Sequence, residues 1–133
     1  MIDIKVEVSE AIERGEGLPD AMRQVAAIMY LSVMRGFDTG GYGAWPPLKK
    51  GGTSHLRKDG ILAGSIVYES DGTRAIVGTN VDYSTVHQFG WGTRNIPPRE
   101  FMVFQQQDIE DIRNAIGEGI KHKFHSPKRT IIK

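Results

Sequence analysis

From Leu18 to Arg35 the chain offers almost no polar surface. Leu18, Met22, Val25, Ala26, Met29 and Val33 fall on one helical stripe, while Ala27, Ile28, Leu31 and Met34 fall largely on the other side. After Asp20 in the first turn, only Arg23, Gln24, Ser32 and Arg35 are clearly polar, and Tyr30 is amphipathic. Pro19 suits a first helical turn, Asp20 suits the positive end of the dipole, and Gly36 is the expected stop. A helix this apolar must be covered on more than one side. Two arrangements satisfy that: a sheet on one face and the C-terminal helix on the other, or a second subunit.

The rest of the chain supplies candidates for the cover. Ile2, Ile4, Val6 and Val8 alternate with Asp3, Lys5 and Glu7, the period of a strand with one buried face. Residues 1–17 therefore read as strand and linker. Leu62–Tyr68 and Ala75–Thr79 read as two strands joined through Asp71-Gly72, the chemistry of a tight hairpin, with the ladder reaching back through Ile61. A last helix is expected from Gln105 to Phe124, with Ile109, Ile112, Ile116 and Ile120 on one stripe and Asp108, Glu110, Asp111, Arg113 and Glu118 mostly off it. Ser126-Pro127 should end it, leaving residues 126–133 as a basic tail. The sum is one α+β domain of 133 residues: a small twisted antiparallel sheet packed against an N-terminal and a C-terminal helix. At this length folding buries roughly two-thirds of the unfolded surface. The absence of cysteine then costs the fold nothing, and it excludes disulfides, thiolate metal sites and a cysteine nucleophile.

Residues 37–60 are the loosest part, expected as a long flexible loop. Trp45-Pro46-Pro47-Leu48 is its apolar anchor, and Lys49, Lys50, Arg57 and Lys58 give it a basic character. The stretch from Val81 to Phe101 is denser. Tyr83, Val86 and Phe89 suit a helical turn, which Asp82 could cap. Gly90 breaks the turn, and Pro97-Pro98 stiffen an arm toward Phe101. His87 and Gln88 are placed to hydrogen-bond backbone near the Gly90 joint. Arg99 follows the two prolines, so its guanidinium is pre-positioned for a carboxylate in its own chain or a neighbour's.

These residues carry a resemblance. Tyr83-x3-His87-Gln88-Phe89-Gly90, then Ile96-Pro97-Pro98-Arg99-x-Phe101, is similar to the phage virion morphogenesis family, the tail-completion or neck proteins of Mu-like and related tailed phages. Trp45-Pro46-Pro47-Leu48 and Gly60-Ile61-Leu62-Ala63-Gly64-Ser65 resemble the family's other two blocks, in the same order. The resemblance covers Leu18 to Phe124. Lys58-Asp59-Gly60-Ile61 and the second proline of Pro97-Pro98 depart from the family's usual pattern, which blurs the subgroup.

The resemblance implies a structural protein of the virion that completes the tail or joins it to the head at the neck. It would act by ring or interface assembly without catalysis, with synthesis and assembly in the host cytoplasm. Its implied partners are other tail or neck proteins and copies of itself, a hexameric ring being the family-level expectation. Subunit contacts would fall to the N-terminal helix, with Ile28, Leu31 and Met34, and to a sheet edge. The loop bearing Trp45, Leu48, Lys49, Lys50, Arg57 and Lys58 would reach a neighbour or the lumen, where DNA contact is conceivable, and Arg99 would join the interface.

Other chemistries find less support. The chain has no phosphate loop, since Gly36, Gly40, Gly41 and Gly43 lack both the spacing and the lysine. His122 and His125 share a helix face but sit among lysines that repel a cation. Asp82 with His87, and Ser84 or Ser65 as a nucleophile, would make a hydrolase, but the glycine elbow such enzymes use is missing. No cofactor, metal or small-molecule substrate is expected, and no apolar run approaches the ~20 residues of a membrane span. The alternative from another class is a small nucleic-acid-binding regulator using the basic 49–58 loop and the C-terminal tail. Charge is uneven within a net of +1, with an acidic start and a basic end. That polarity suits either stacking of copies or a solvated strand edge and a frayed tail.

Overall fold

The computed structural model describes residues 2–8, 18–48, 51–52, 54–56 and 61–131, with side chains described as far as residue 119. In chain order the elements are β1 (Ile2–Glu7), α1 (Leu18–Thr39), α2 (Ile61–Gly64), β2 (Val67–Ser70), β3 (Arg74–Thr79), α3 (Ser84–Phe89), a 3-10 turn (Gly92–Arg94) and α4 (Gln106–Ile131). The sheet is antiparallel with the order β1-β3-β2. Ile2, Ile4 and Val6 lie opposite Thr79, Val77 and Ala75, so the apolar positions of β1 and β3 share one face. That face packs on α1, and α4 covers α1 from the other side. The α+β architecture expected from the sequence is therefore present, and the chain's own sheet and last helix cover α1.

Met22, Val25, Met29, Val33 and Phe37 of α1 are wholly buried, with Leu62, Ala75, Val77, Phe101 and Ile112 around them. Ile28, Tyr30 and Met34 pack partly against this core. Leu31 stays 54% exposed.

Four local expectations need correction. Gly36 does not stop α1, which runs on to Thr39. An interior glycine costs about 1 kcal/mol, but one more turn buries the Phe37 ring, worth roughly 2–3 kcal/mol. The loop expected from Phe37 thus begins at Gly40. Next, residues 61–64 are not strand but the helical turn α2. Leu62 and Ala63 are buried by it, and Ser65 Oγ donates to the Leu62 carbonyl at 2.6 Å and lies 2.6 Å from Thr79 Oγ1. Ser126-Pro127 does not end α4, which continues to Ile131. Proline keeps a helical φ and forfeits one donor, and residues 128–131 offer no glycine or asparagine to turn the chain away. Finally, Asp108 is not on the solvent side but 5% exposed, against α1.

The β2–β3 turn has the expected Asp71-Gly72 chemistry. The Asp71 carboxylate accepts the Thr73 and Arg74 amides at 2.9 and 2.8 Å and a forked pair from the Arg74 guanidinium. The Thr73 amide first, then Arg74, lower its pKa to about 2.

Candidate functional site: a braced hairpin

Four consecutive residues after α1, Gly40, Gly41, Tyr42 and Gly43, have φ between 58° and 81°, a left-handed turn that sends the chain back on itself. Tyr42 accepts that conformation without glycine's freedom. Its hydroxyl donates to the Ser32 carbonyl at 2.6 Å, which offsets the strain. The turn lays Trp45 over Gly41 so closely that a Cβ there would overlap the indole. Trp45 meets Phe37 edge-on at 6.0 Å, and Phe37 stacks on Phe101 at 5.7 Å. Trp45 Nε1 donates to the Glu100 carbonyl at 3.0 Å.

Arg99 closes the same junction from the other side. Its Nε and one terminal nitrogen donate to the Pro46 carbonyl at 3.0 and 2.9 Å, and that terminal nitrogen also reaches the Pro47 carbonyl at 3.0 Å. The expected carboxylate is replaced by two backbone carbonyls, in a stretch where Pro46 and Pro47 have no N–H of their own to pair. Trp45-Pro46-Pro47 and Arg99-Glu100-Phe101 thus lock together, and both Trp45 and Arg99 are committed within the chain.

The third brace is α3. Asp82 is exposed and does not cap it: no side chain caps this helix, because the Val81 carbonyl already takes the Ser84 amide at 3.0 Å. Tyr83 stands edge-on to the His87 ring at 5.6 Å. At the other end the His87 carbonyl accepts the Arg99 amide at 2.6 Å. Gln88 Oε1 accepts the Phe101 and Met102 amides at 3.1 and 3.0 Å, so one side-chain amide serves the arm as a strand neighbour would. Gln88 thereby bonds backbone, as expected, but beyond the prolines rather than at Gly90. Gly90 sits at φ 77°, and a Cβ on it would meet Ile96 O and Pro98 N at 2.8 Å.

These braces hold a small hairpin that the sequence reading did not anticipate. Trp91 and Ile96 exchange both backbone hydrogen bonds, at 2.8 and 3.0 Å. Gly92–Arg94 make the turn, and Asn95 closes it at φ 55°. Asparagine, tolerant of the left-handed region, between two bulky apolar residues was the signal available. The Arg94 guanidinium lies 4.6 Å over the Trp91 ring. Phe89 is 72% exposed at the base of the hairpin and Trp91 44%. Pro97 is half-buried and Pro98 exposed behind them.

Of the other anticipated interface residues, Leu48 is exposed, whereas Lys49, Lys50, Arg57 and Lys58 lie outside the described residues. The side chains of His122 and His125 do so too. No group of three metal-ligating side chains occurs among the described residues, and no described helix is long and apolar enough to cross a membrane.

Exposed aromatic and arginine side chains on a braced backbone have the composition found in protein-binding hot spots, and the described residues group as a surface rather than as a catalytic cleft. Residues 4–121 match the phage virion morphogenesis family, and the chain belongs to it. It is 36% identical over 133 aligned positions to the Mu-like prophage FluMu G protein 2 of Haemophilus influenzae, an alignment covering 87% of this chain and 94% of that protein. No solved structure matches. Membership gives the chain a structural role in phage assembly and associates it with the virion.

Proposed function

We propose that this chain completes the phage tail at its head-proximal end and joins it to the neck, acting by burial of interfaces without turnover. The observation that carries the reading is the braced hairpin. The backbone that carries Tyr83, Phe89, Trp91 and Arg94 is held by three sets of bonds, in a chain whose family builds virions. Holding aromatic residues rigid removes most of the ordering cost of binding. The hairpin contacts another tail or neck protein, and copies of the chain gather as a ring around the tail end.

The test is deletion of the gene from an inducible prophage, followed by electron microscopy of the lysate. Filled heads and separate tails should accumulate, and purified protein added to the lysate should restore joined particles. Joined, infectious particles in the deletion lysate would overturn the reading.

A further inference from the structure

The outer edge of β2 is a second recognition surface, independent of the hairpin and of the proposed function. We propose that two copies of this chain pair along it about a two-fold axis centred on Tyr68. The edge strand offers β3 on one side and no described strand on the other. Asp71 N donates to Arg74 O at 2.9 Å, and the ladder below it alternates. The backbone groups of Glu69 and Val67 therefore face β3, and those of Tyr68 and Ser70 face outward.

The two edges of the sheet are built differently. On β1, Val8 N donates to Thr73 O, so by the same alternation Asp3, Lys5 and Glu7 present their backbone outward. That edge carries a charge at each outward position, a common guard against pairing. The β2 edge carries neither lysine nor proline. Its Val67 is 62% exposed and Tyr68 48%, and the Tyr30 ring lies tilted against Tyr68 at 4.7 Å with Leu31, 54% exposed, beside Tyr30 in sequence.

Charge and pleat select the occupant. In an antiparallel self-pair, facing residues must point to the same side, so the axis passes through a residue rather than between two. Centring on Glu69 opposes two carboxylates. Centring on Val67 runs Ser70 against Gly64, which is helical. Centring on Tyr68 uses both outward residues of β2, sets Val67 beside the partner's Glu69, and brings two tyrosines together on the apolar side. The product is one continuous sheet with β1 at both ends. A two-fold pair is closed and adds no third copy, so it is a form of the free chain, and the ring proposed above is built on other surfaces.

The chain has no cysteine, so single-cysteine variants of the full chain report the register directly. Facing residues at a hydrogen-bonded position lie about 5.5 Å apart at Cα, within disulfide reach. Tyr68→Cys, oxidised with diamide at low concentration, should give a disulfide dimer on a non-reducing gel, and Lys5→Cys should not. Ser70→Pro removes an outward donor and leaves the β3 ladder intact. It should weaken self-association, followed by light scattering over a dilution series, by about tenfold, with the far-ultraviolet circular dichroism unchanged. A Tyr68→Cys chain that stays uncrosslinked overturns the proposal. So does a ladder of larger species from a chain carrying both Lys5→Cys and Tyr68→Cys, which would indicate head-to-tail pairing of β1 with β2.

Discussion

Ser32 Oγ donates to Asp108 Oδ2 at 2.6 Å across a buried interface between the first and last helices, residues 76 positions apart. The same carboxylate oxygen accepts the Gln105 amide at 3.0 Å at the start of α4, and its other oxygen lies 3.8 Å from Arg35. One side chain thus closes the helix end and fastens it to α1. Asp108→Ala removes the carboxylate that accepts the buried Ser32 hydroxyl, leaving it only the Tyr42 hydroxyl at 3.2 Å, and frees a helix amide, so it should destabilise by about 1–3 kcal/mol. Ser32→Ala should cost less, and the two losses should not add. Urea denaturation of both variants and the double variant measures this. Additive effects would show that the bond does not couple the helices.

Arg99 is the clasp between the two proline segments. Arg99→Lys keeps the charge but cannot reproduce the planar fork that spans the Pro46 and Pro47 carbonyls. We expect a loss of about 1–2 kcal/mol and a change in tryptophan fluorescence as Trp45 leaves the Glu100 carbonyl. A lysine variant with wild-type stability and spectrum would show that charge alone suffices.

Gly90→Ala places a methyl 2.8 Å from Ile96 O and Pro98 N at a left-handed φ. Both clash and backbone strain oppose it, so the variant should lose more than about 1 kcal/mol. The nuclear magnetic resonance signals of Trp91 and Ile96 should shift together, while those of β1 stay in place. Unshifted Trp91 signals would mean that the joint does not position the hairpin.

Hairpin variants should separate function from folding. Phe89→Ser and Arg94→Glu alter exposed atoms, so the melting temperature should stay within a few degrees. Their power to restore head–tail joining to a deletion lysate should fall at least about tenfold, by the logic of hot spots. Full restoration by both would remove the hairpin from the interface.

Asp71 gives a pH prediction. Its folded pKa is lowered from 3.8 to about 2, so its contribution to stability is present above pH 3.8 and is lost as pH falls toward 2. The carboxyl carbon resonance should titrate near 2 in the folded chain, and Asp71→Asn should flatten the acid limb of stability in that window. A midpoint near 4 would show that the Thr73 and Arg74 contacts do not persist in solution.

How much of this was legible follows from what each residue needs. The alternation of Ile2, Ile4 and Val6, the all-round apolarity of α1 and the Asp71-Gly72 turn are local patterns with one good solution, and each led to its element. Leu62 misled because a short apolar run fits a strand or a buried helical turn equally well. The Ser65–Thr79 contact, invisible in sequence, decided it. Gly36 misled because the benefit of burying Phe37 depends on Phe101 and Trp45, far along the chain. Asp108 looked like a surface acid because its partner, Ser32, is a polar residue on a stripe read only for its apolar members. Within the candidate site, the motif from Tyr83 to Phe101 spans the residues that the structure joins by hydrogen bonds. Their roles came from pairings that no spacing encodes, such as Gln88 with the Phe101 amide.

The covering of α1 by α4 has a consequence for the order of events on the ribosome. β1 has no partner until residues 74–79 emerge, and the second apolar side of α1 has none until Gln106 and the turns after it are made. The nascent chain therefore carries an uncovered apolar helix until α4 is made. Products that stop before α4 will be clients of chaperones or proteases, and the domain will appear all at once when α4 emerges.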